Sequence, residues 1–208
     1  MVYPKLRALG ITLGLFVAVY GPAFAAVSLI RPPVQGIVPL IIAISLAVAL
    51  ALIFTLARGT AGVARFGLTA TKVRYAELAV LLGLPLALAT AWLAHLFPSK
   101  GPIDTSGFPP WMLWLYFGVA ASIQEEVIFR GLLQSFLEQR WVTNSFPSPA
   151  VLFTAGLFGI VHLGSGAIVL AGAVVLGLVA GELRRRSGSL LPAVIVHALF
   201  NVTGLLWP

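Results

Sequence analysis

The sequence predicts an all-α, polytopic membrane protein, a bundle of about seven transmembrane helices around a central polar cavity. Of its 208 residues, 60% are hydrophobic and only 9% are charged, whereas a soluble domain has about 25% charged residues. The mean hydropathy is +1.04, and the apolar residues form runs near the roughly 20-residue length that crosses a bilayer as a helix. Because so little polar material cannot cover a water-exposed globule, residues 1–208 are interpreted as one integral membrane domain.

Seven apolar runs are predicted to cross the membrane. In chain order they are Ala8–Ile30, Ile37–Ala57, Ala76–Phe97, Trp111–Leu137, Ala150–Leu163, Ala167–Leu183 and Leu190–Trp207. The first three, within 8–97, form a scaffold without a motif, and the last four, within 111–207, carry the polar residues discussed below. Gly177 and Gly181 in the sixth run predict a close helix contact. Cysteine is absent, which excludes disulfides and thiolate chemistry.

The basic residues predict the orientation, because cytoplasmic loops of membrane proteins are enriched in Lys and Arg. With a cytoplasmic N-terminus, 11 of the 13 Lys and Arg lie in cytoplasmic segments, and only Arg31 and Lys100 lie outside. The net charge of +7 is therefore a topology signal and does not indicate a nucleic-acid partner. The basic segment Arg58–Arg74 favours a solvated loop, with a short interfacial segment as the alternative. An outer loop is expected over Pro98–Pro110.

The first run also allows a cleaved signal peptide. Lys5 and Arg7 precede an apolar stretch that ends at Ala23-Phe24-Ala25, which has the small residues of a cleavage site. The apolar stretch is long for a signal peptide, so a membrane helix is favoured. The other six runs keep the same orientation in either case.

Two acidic residues occupy an unusual position inside the fourth run. Glu125 and Glu126 come after the mostly apolar stretch Trp111–Ile123, and a charged side chain at mid-membrane costs about 2.5–3.5 kcal/mol. Arg130 lies four residues after Glu126 on the same helical face, which predicts a buried ion pair. Glu125 is turned about 100° away and has no such partner on its helix. It must meet another helix, face a water-filled cavity or be protonated, and such a carboxylate suits a general base or acid.

Three polar residues in other runs are candidate partners for Glu125. His162 ends the fifth run, and His197 and Asn201 lie four residues apart in the seventh. Counted from the cytoplasmic helix ends, Glu125 and His162 both lie about 18 Å deep, and His197 and Asn201 about 10 and 17 Å. A lone His or Asn in a membrane helix usually serves packing. Four such residues at similar depth predict a functional site instead.

These residues also carry a resemblance to a known family. The segment 125–131, Glu-Glu-Val-Ile-Phe-Arg-Gly, matches the E-E-x-x-x-R-G signature of the CPBP (CAAX protease and bacteriocin-processing) intramembrane proteases. This family includes the Rce1-type CAAX prenyl endopeptidases. Residues 158–162 match its F-x-x-x-H motif, and residues 197–201 match its H-x-x-x-N motif. The three motifs occur in order, each in an apolar run.

The resemblance implies an all-helical fold with a water-accessible cavity, and hydrolysis of a peptide bond by a glutamate-activated water. In this reading Glu125 is the general base and His162 helps to position the water. His197 and Asn201 donate hydrogen bonds to the tetrahedral intermediate. Three further residues support the site: Glu126, Arg130 and Phe158.

The family is often described as metalloproteases, so a metal is considered separately. Glu125, His162 and His197 offer a Glu-His-His set with one open position, as catalytic zinc requires. The H-E-x-x-H motif is absent and the chain has no soft ligand. The sequence therefore favours metal-free glutamate chemistry, with zinc left open.

Two other functions fit parts of the pattern. The main alternative is a non-catalytic membrane immunity or binding protein on the same scaffold, because bacteriocin self-protection is attributed to some relatives. A transporter that carries protons on Glu125 predicts two related halves, and the sequence has no internal repeat. The expected partners are the lipid bilayer and a hydrophobic peptide or protein substrate, and the expected location is the plasma membrane of a prokaryotic cell.

Overall fold

The computed structural model describes residues 3–98, 105 and 107–206, which form helices and connecting turns and no strand. The helices are α1 (Tyr3–Ile30), α2 (Val34–Ala57), α3 (Thr60–Arg65), α4 (Val73–Leu96), α5 (Pro110–Glu138), α6 (Pro149–Val161), α7 (Ala167–Ser187) and α8 (Leu191–Leu206). Each predicted run corresponds to one of these helices, with ends that agree to within a few residues. Lys100, in the predicted outer loop, and Trp207, at the end of the seventh run, lie outside the described residues.

Five of the described helices are long and apolar enough to cross a membrane: α1, α2, α4, α5 and α7. Helices α6 and α8 are apolar but shorter, with 13 and 16 residues. At 1.5 Å per residue they cover about 20 and 24 Å of a hydrocarbon core that is about 30 Å thick. The all-helical membrane fold is therefore confirmed, and the count of seven spans stays a prediction.

Small residues bring neighbouring helices into close contact, as is usual in membrane bundles. A Cβ atom on Gly83 of α4 would lie 2.7 Å from Val196 Cγ2 of α8, and a Cβ atom on Gly177 of α7 would lie 2.9 Å from Ala155 Cα of α6. At Gly181 a Cβ atom would lie 2.9 Å from a methyl group of α6. The contact predicted at Gly177 and Gly181 is thus the interface between α6 and α7.

Helix α5 runs through the centre of the bundle and carries the two adjacent glutamates. Ile128, Phe129, Leu132 and Leu133 in its second half are all 0% exposed, because other helices cover every face there. Two stretches of α5 have π-helical i→i+5 geometry, residues 113–120 and 127–134. They flank an α-helical turn at residues 121–126 that holds both glutamates. Wide π-helical turns inside an α-helix occur often at functional sites.

One end of the bundle, called here the basic end, carries most of the positive charge. Its cations are Lys5, Arg7, Arg58, Arg65, Lys72, Arg74, Arg140, Arg184, Arg185 and Arg186. Contacts tie these segments together: the Lys5 ammonium lies 5.2 Å from the Trp141 ring, for example, and joins the start of α1 to the end of α5. Arg130, which the sequence count placed with the cytoplasmic residues, is 0% exposed inside the bundle. That assignment was wrong, because Arg130 is held by a buried carboxylate.

The segment between α2 and α4 also differs from the solvated loop that the sequence favours. Phe66, just after the short helix α3, is only 3% exposed and packs into the core. Burying a phenylalanine side chain stabilises by about 1.5–3 kcal/mol, which draws the segment back onto the bundle. The backbone N–H of Leu190 donates to the carbonyl of Gly67 at 2.9 Å, and Arg184 Nη2 donates to the carbonyl of Arg65 at 2.7 Å. The segment thereby covers the basic end between α7 and α8.

Candidate active site

A cavity of about 590 Å³, called here the polar cavity, lies among α4, α5, α6, α7 and α8. Glu125, His162, His197 and Asn201, the four residues predicted to form a site, all line it. The rest of the lining is mostly apolar: Ala87, Ala91, Ala94, Phe117, Ala121, Val161, Val169, Phe200, Gly204 and Leu205, with Thr90, Thr105 and Ser165 as polar exceptions. A few polar groups in an apolar pocket of 300–1,000 Å³ are typical of a small-molecule or peptide site.

The two adjacent glutamates lie in different surroundings, because consecutive helical residues point about 100° apart. The Glu125 side chain is 21% exposed and faces the polar cavity. Glu126 is 0% exposed, and its Oε1 accepts a hydrogen bond from Arg130 Nη1 at 2.8 Å. Arg130 is also 0% exposed, and its guanidinium carbon lies 4.7 Å from the centre of the Phe158 ring. This ion pair therefore lies behind the cavity and does not line it.

His197 joins the ion pair to the cavity. Its Nδ1 lies 2.7 Å from Glu126 Oε1, and its Nε2 lies 3.6 Å from Glu125 Oε2. A carboxylate can only accept, so Nδ1 carries a hydrogen, whereas 3.6 Å is too long for a hydrogen bond. The second ring nitrogen, Nε2, stands beside Glu125 at the cavity floor.

His162 is positioned by the end of α6. The helix ends at Val161, and the His162 Nδ1 lies 2.8 Å from the carbonyl oxygen of Phe158, four residues earlier. Since a carbonyl only accepts, Nδ1 is the donor and Nε2 of the neutral ring is an acceptor. The Phe158 ring is fully buried, with its centre 4.6 Å from that of His162 and 5.5 Å from that of His197. The Phe158 ring therefore packs against both histidine rings.

Asn201 uses its amide group to fasten α8 to α5. Its Nδ2 donates to the carbonyl oxygen of Phe117 at 2.9 Å and to Ser122 Oγ at 3.0 Å. The Ser122 hydroxyl in turn donates to the carbonyl of Gly118 at 2.9 Å. Because an amide has two hydrogens, the predicted donation from Asn201 to an oxyanion would require one of these bonds to break. The geometry supports a positioning role for this residue.

Sequence reasoning missed two polar residues of α5 that support the site. Ser122 receives the bond from Asn201, and Gln124, only 2% exposed, donates to Ser45 Oγ at 3.0 Å and to Tyr20 Oη at 3.3 Å. These bonds connect α5 to α8, α2 and α1. The sequence feature that could have identified them is that both polar residues stand in an apolar run directly before the glutamates. The sequence pattern does not reveal their partners, which come from distant parts of the chain.

The residues as placed do not fit a zinc site. Within the described part of the chain, no three His, Asp or Glu side chains come close enough together to hold a metal ion. His162 and His197 each use Nδ1 for a hydrogen bond, to the Phe158 carbonyl and to Glu126 respectively, as metal-ligating histidines also do. Because the described residues hold no such group, the description of the family as metalloproteases finds no support in this geometry.

Comparison with known proteins gives a match to a family model. A family model described as "Type II CAAX prenyl endopeptidase Rce1-like" matches residues 107–203. This segment contains α5, α6, α7 and most of α8, and with them every predicted site residue. Helices α1 to α4 precede it. No curated protein and no solved structure matches the chain.

Proposed function

The chain belongs, through residues 107–203, to the Rce1-like family of type II CAAX prenyl endopeptidases, and we propose that it is an intramembrane endopeptidase whose Glu125 activates the attacking water. The substrate is a hydrophobic or membrane-associated peptide or protein. The observation that carries the proposal is the floor of the polar cavity. There Glu125 faces open space, while Glu126, Arg130 and His197 behind it are almost fully buried.

The first chemical step uses two acceptors that line the same cavity. A water molecule that donates one hydrogen to Glu125 and the other to His162 Nε2 presents an oxygen lone pair to the scissile carbonyl carbon. As the new C–O bond forms, the proton moves to the Glu125 carboxylate and the carbonyl π electrons move to the oxygen. A positioned general base of this kind contributes about 10²–10⁴ in rate.

The second step uses His197. With a hydrogen on both ring nitrogens, His197 donates from Nε2 to the oxyanion, while Nδ1 stays bonded to Glu126 at 2.7 Å and keeps the ring in place. Preorganised donors of this kind each contribute about 10²–10³. The protonated Glu125 then passes its proton to the leaving amine as the C–N bond breaks. The products are an amine and a carboxylic acid, which keeps the second hydrogen of the water and loses it to solvent, and Glu125 is again ionised.

The proposal extends to topology and location. Seven helices, α1, α2 and α4 to α8, cross the plasma membrane, with the N-terminus and the basic end in the cytoplasm. The distribution of charge supports this orientation, because positive residues accumulate on the cytoplasmic side. Of the described Lys and Arg, Arg31 alone lies at the opposite end and Arg130 alone lies within the bundle.

Cleavage by the purified protein in liposomes tests the function, with a library of hydrophobic and lipidated peptides. Glu125→Gln keeps the shape and removes the base, so we expect cleavage to fall by about 10²–10⁴ with the thermal unfolding midpoint unchanged. Glu77→Gln is the matched control, since Glu77 is exposed at the start of α4, and it should cleave like the wild type. Equal cleavage by the Glu125→Gln variant and the wild type would overturn the assignment.

A further inference from the structure

We propose that a second cavity, separate from the polar cavity, is a binding site for one anionic phospholipid of the leaflet that adjoins the basic end. This cavity of about 500 Å³, called here the α4–α7 groove, lies between helices α4 and α7. Its two walls include Tyr75, Leu78 and Leu82 on α4 and Leu178, Glu182 and Arg186 on α7. The proposal depends neither on proteolysis nor on which side of the membrane the basic end faces.

The groove is polar at one end and apolar at the other. Helix α4 begins at the basic end and α7 finishes there, so Tyr75 and Arg186 lie at that end. Leu82 comes seven residues after Tyr75, and Leu178 comes eight residues before Arg186, which places both leucines about 10–12 Å deeper. One leaflet contributes about 15 Å to a hydrocarbon core about 30 Å thick. The groove therefore follows the polarity of a phospholipid, with the headgroup level at the basic end and the acyl chain pointing inward.

The apolar part of the groove faces the surrounding lipid. Leu78 and Leu82 are 41% and 48% exposed, although α4 packs against both α7 and α8 on its other faces. Lipid tails are as apolar as leucine, so an acyl chain that enters the groove gains packing contacts but little hydrophobic free energy. The choice among lipids consequently depends on the headgroup.

The headgroup end carries more positive than negative charge. Glu182 is the only carboxylate among the described residues that line the groove. Its Oε2 accepts from Arg185 Nε at 3.0 Å and Nη2 at 2.7 Å, and its Oε1 accepts from the backbone N–H of Ser148 at 3.1 Å. Arg185 therefore offsets the charge of Glu182. Two other acidic residues of α4 and α5, Glu77 and Glu138, do not line the groove.

Arg186 is the cation that remains for a ligand. Its side chain is 55% exposed, and its Nε lies 3.4 Å from Glu182 Oε2. Its guanidinium carbon lies 5.1 Å from the centre of the Phe146 ring, which keeps the group at the rim of the groove. Arg74 adds a second positive charge there, because its Nη2 donates to Tyr75 Oη at 3.2 Å. Guanidinium groups bind phosphate through paired hydrogen bonds, and basic pockets between membrane helices bind anionic headgroups.

Lipid binding to the purified protein tests the site. Native mass spectrometry in detergent measures the affinity of the first bound phosphatidylglycerol, with phosphatidylcholine of the same acyl chains as the zwitterionic comparison. One Lys or Arg near an anionic headgroup contributes about fivefold in affinity, so we expect Arg186→Gln to weaken phosphatidylglycerol about fivefold and to leave phosphatidylcholine unchanged. Arg7→Gln is the matched control, since Arg7 is exposed at the basic end and does not line the groove. It should bind both lipids like the wild type.

A second variant tests the apolar end without any change of charge. Leu82→Trp fills the groove, and we expect it to abolish the first phosphatidylglycerol site. Leu81→Trp is its control, because Leu81 is 68% exposed on the same helix and does not line the groove. Both leucines are exposed, so neither variant should shift the unfolding midpoint.

Four results would overturn the inference. Equal weakening by Arg186→Gln and Arg7→Gln would indicate diffuse surface charge, and equal binding by Leu82→Trp and Leu81→Trp would show that no chain enters the groove. Competition by glycerol 3-phosphate as strong as that by phosphatidylglycerol would indicate a site for the phosphate alone. Loss of peptide cleavage in Leu82→Trp with phosphatidylglycerol binding intact would assign the groove to a peptide. Cleavage that depends on Glu125 would stand in the first three cases and in the fourth, so failure of the two proposals is distinguishable.

Discussion

The buried ion pair behind the cavity predicts a strong and non-additive effect on stability. Arg130→Met keeps the apolar stem of the side chain and removes the guanidinium that lies 2.8 Å from Glu126 Oε1. Both side chains are 0% exposed, so water cannot replace the lost partner. Removing one member of a buried pair costs about 3–5 kcal/mol. The variant also loses the contact with the Phe158 ring, worth about 2 kcal/mol for a desolvated cation.

Glu126→Gln should cost less than Arg130→Met. The glutamine side-chain oxygen can still accept from both Arg130 and His197, although the arginine charge is then left without its counter-charge. In the double variant no net charge remains buried at these two positions, and uncharged replacements of a buried pair are often neutral or stabilising. We therefore expect the double variant to recover about 3 kcal/mol relative to the sum of the two single costs.

The measurement is reversible unfolding in mixed detergent micelles, followed by the fluorescence of the five tryptophans. Arg186→Met combined with Glu182→Gln is the matched control cycle. That i,i+4 pair has a separation of 3.4 Å and an arginine side chain that is 55% exposed, so its coupling should stay within about 0–1 kcal/mol. Single costs at Glu126 and Arg130 that add to within about 0.5 kcal/mol would refute the reasoning.

Three further predictions follow from individual contacts. Gly177→Ala should destabilise the protein by about 1–3 kcal/mol in the same unfolding assay, because the new Cβ would overlap the α6 backbone. Its control is Gly156→Ala, where the new Cβ meets open space, and this variant should be neutral or stabilise by up to about 1 kcal/mol. His162→Phe should keep the ring packing and lower kcat by about 10² while the unfolding midpoint stays near that of the wild type; an unchanged kcat would remove His162 from the mechanism. Gln124→Leu should cost about 1 kcal/mol through the lost bonds to Ser45 and Tyr20, and no loss of stability would show that these bonds are not formed in the membrane.

The sequence predicted those parts of the fold that depend on one helix at a time. Apolar length located every described helix except the short α3, and the i,i+4 spacing of Glu126 and Arg130 corresponds to the observed ion pair. The fold-back of Phe66 could not be predicted, because its burial depends on the space between α7 and α8. The hydrogen-bond partner of Asn201 could not be predicted either, since it is a backbone carbonyl in a π-helical turn of α5. Residues of this kind are set by tertiary contacts, and the local pattern of the sequence does not encode them.

Helix α6 has a further consequence for the lipid around the protein. Its 13 residues span about 20 Å, so it ends about 10 Å short of the thickness of a typical hydrocarbon core. A bilayer accommodates such hydrophobic mismatch by thinning locally or by letting the flanking residues reach the interface. His162 stands at the truncated end of this helix, so the thinned region lies next to the reacting groups. The acyl-chain length of the surrounding lipids should therefore tune how easily water and an apolar segment meet at the cavity floor, with thinner bilayers giving faster cleavage.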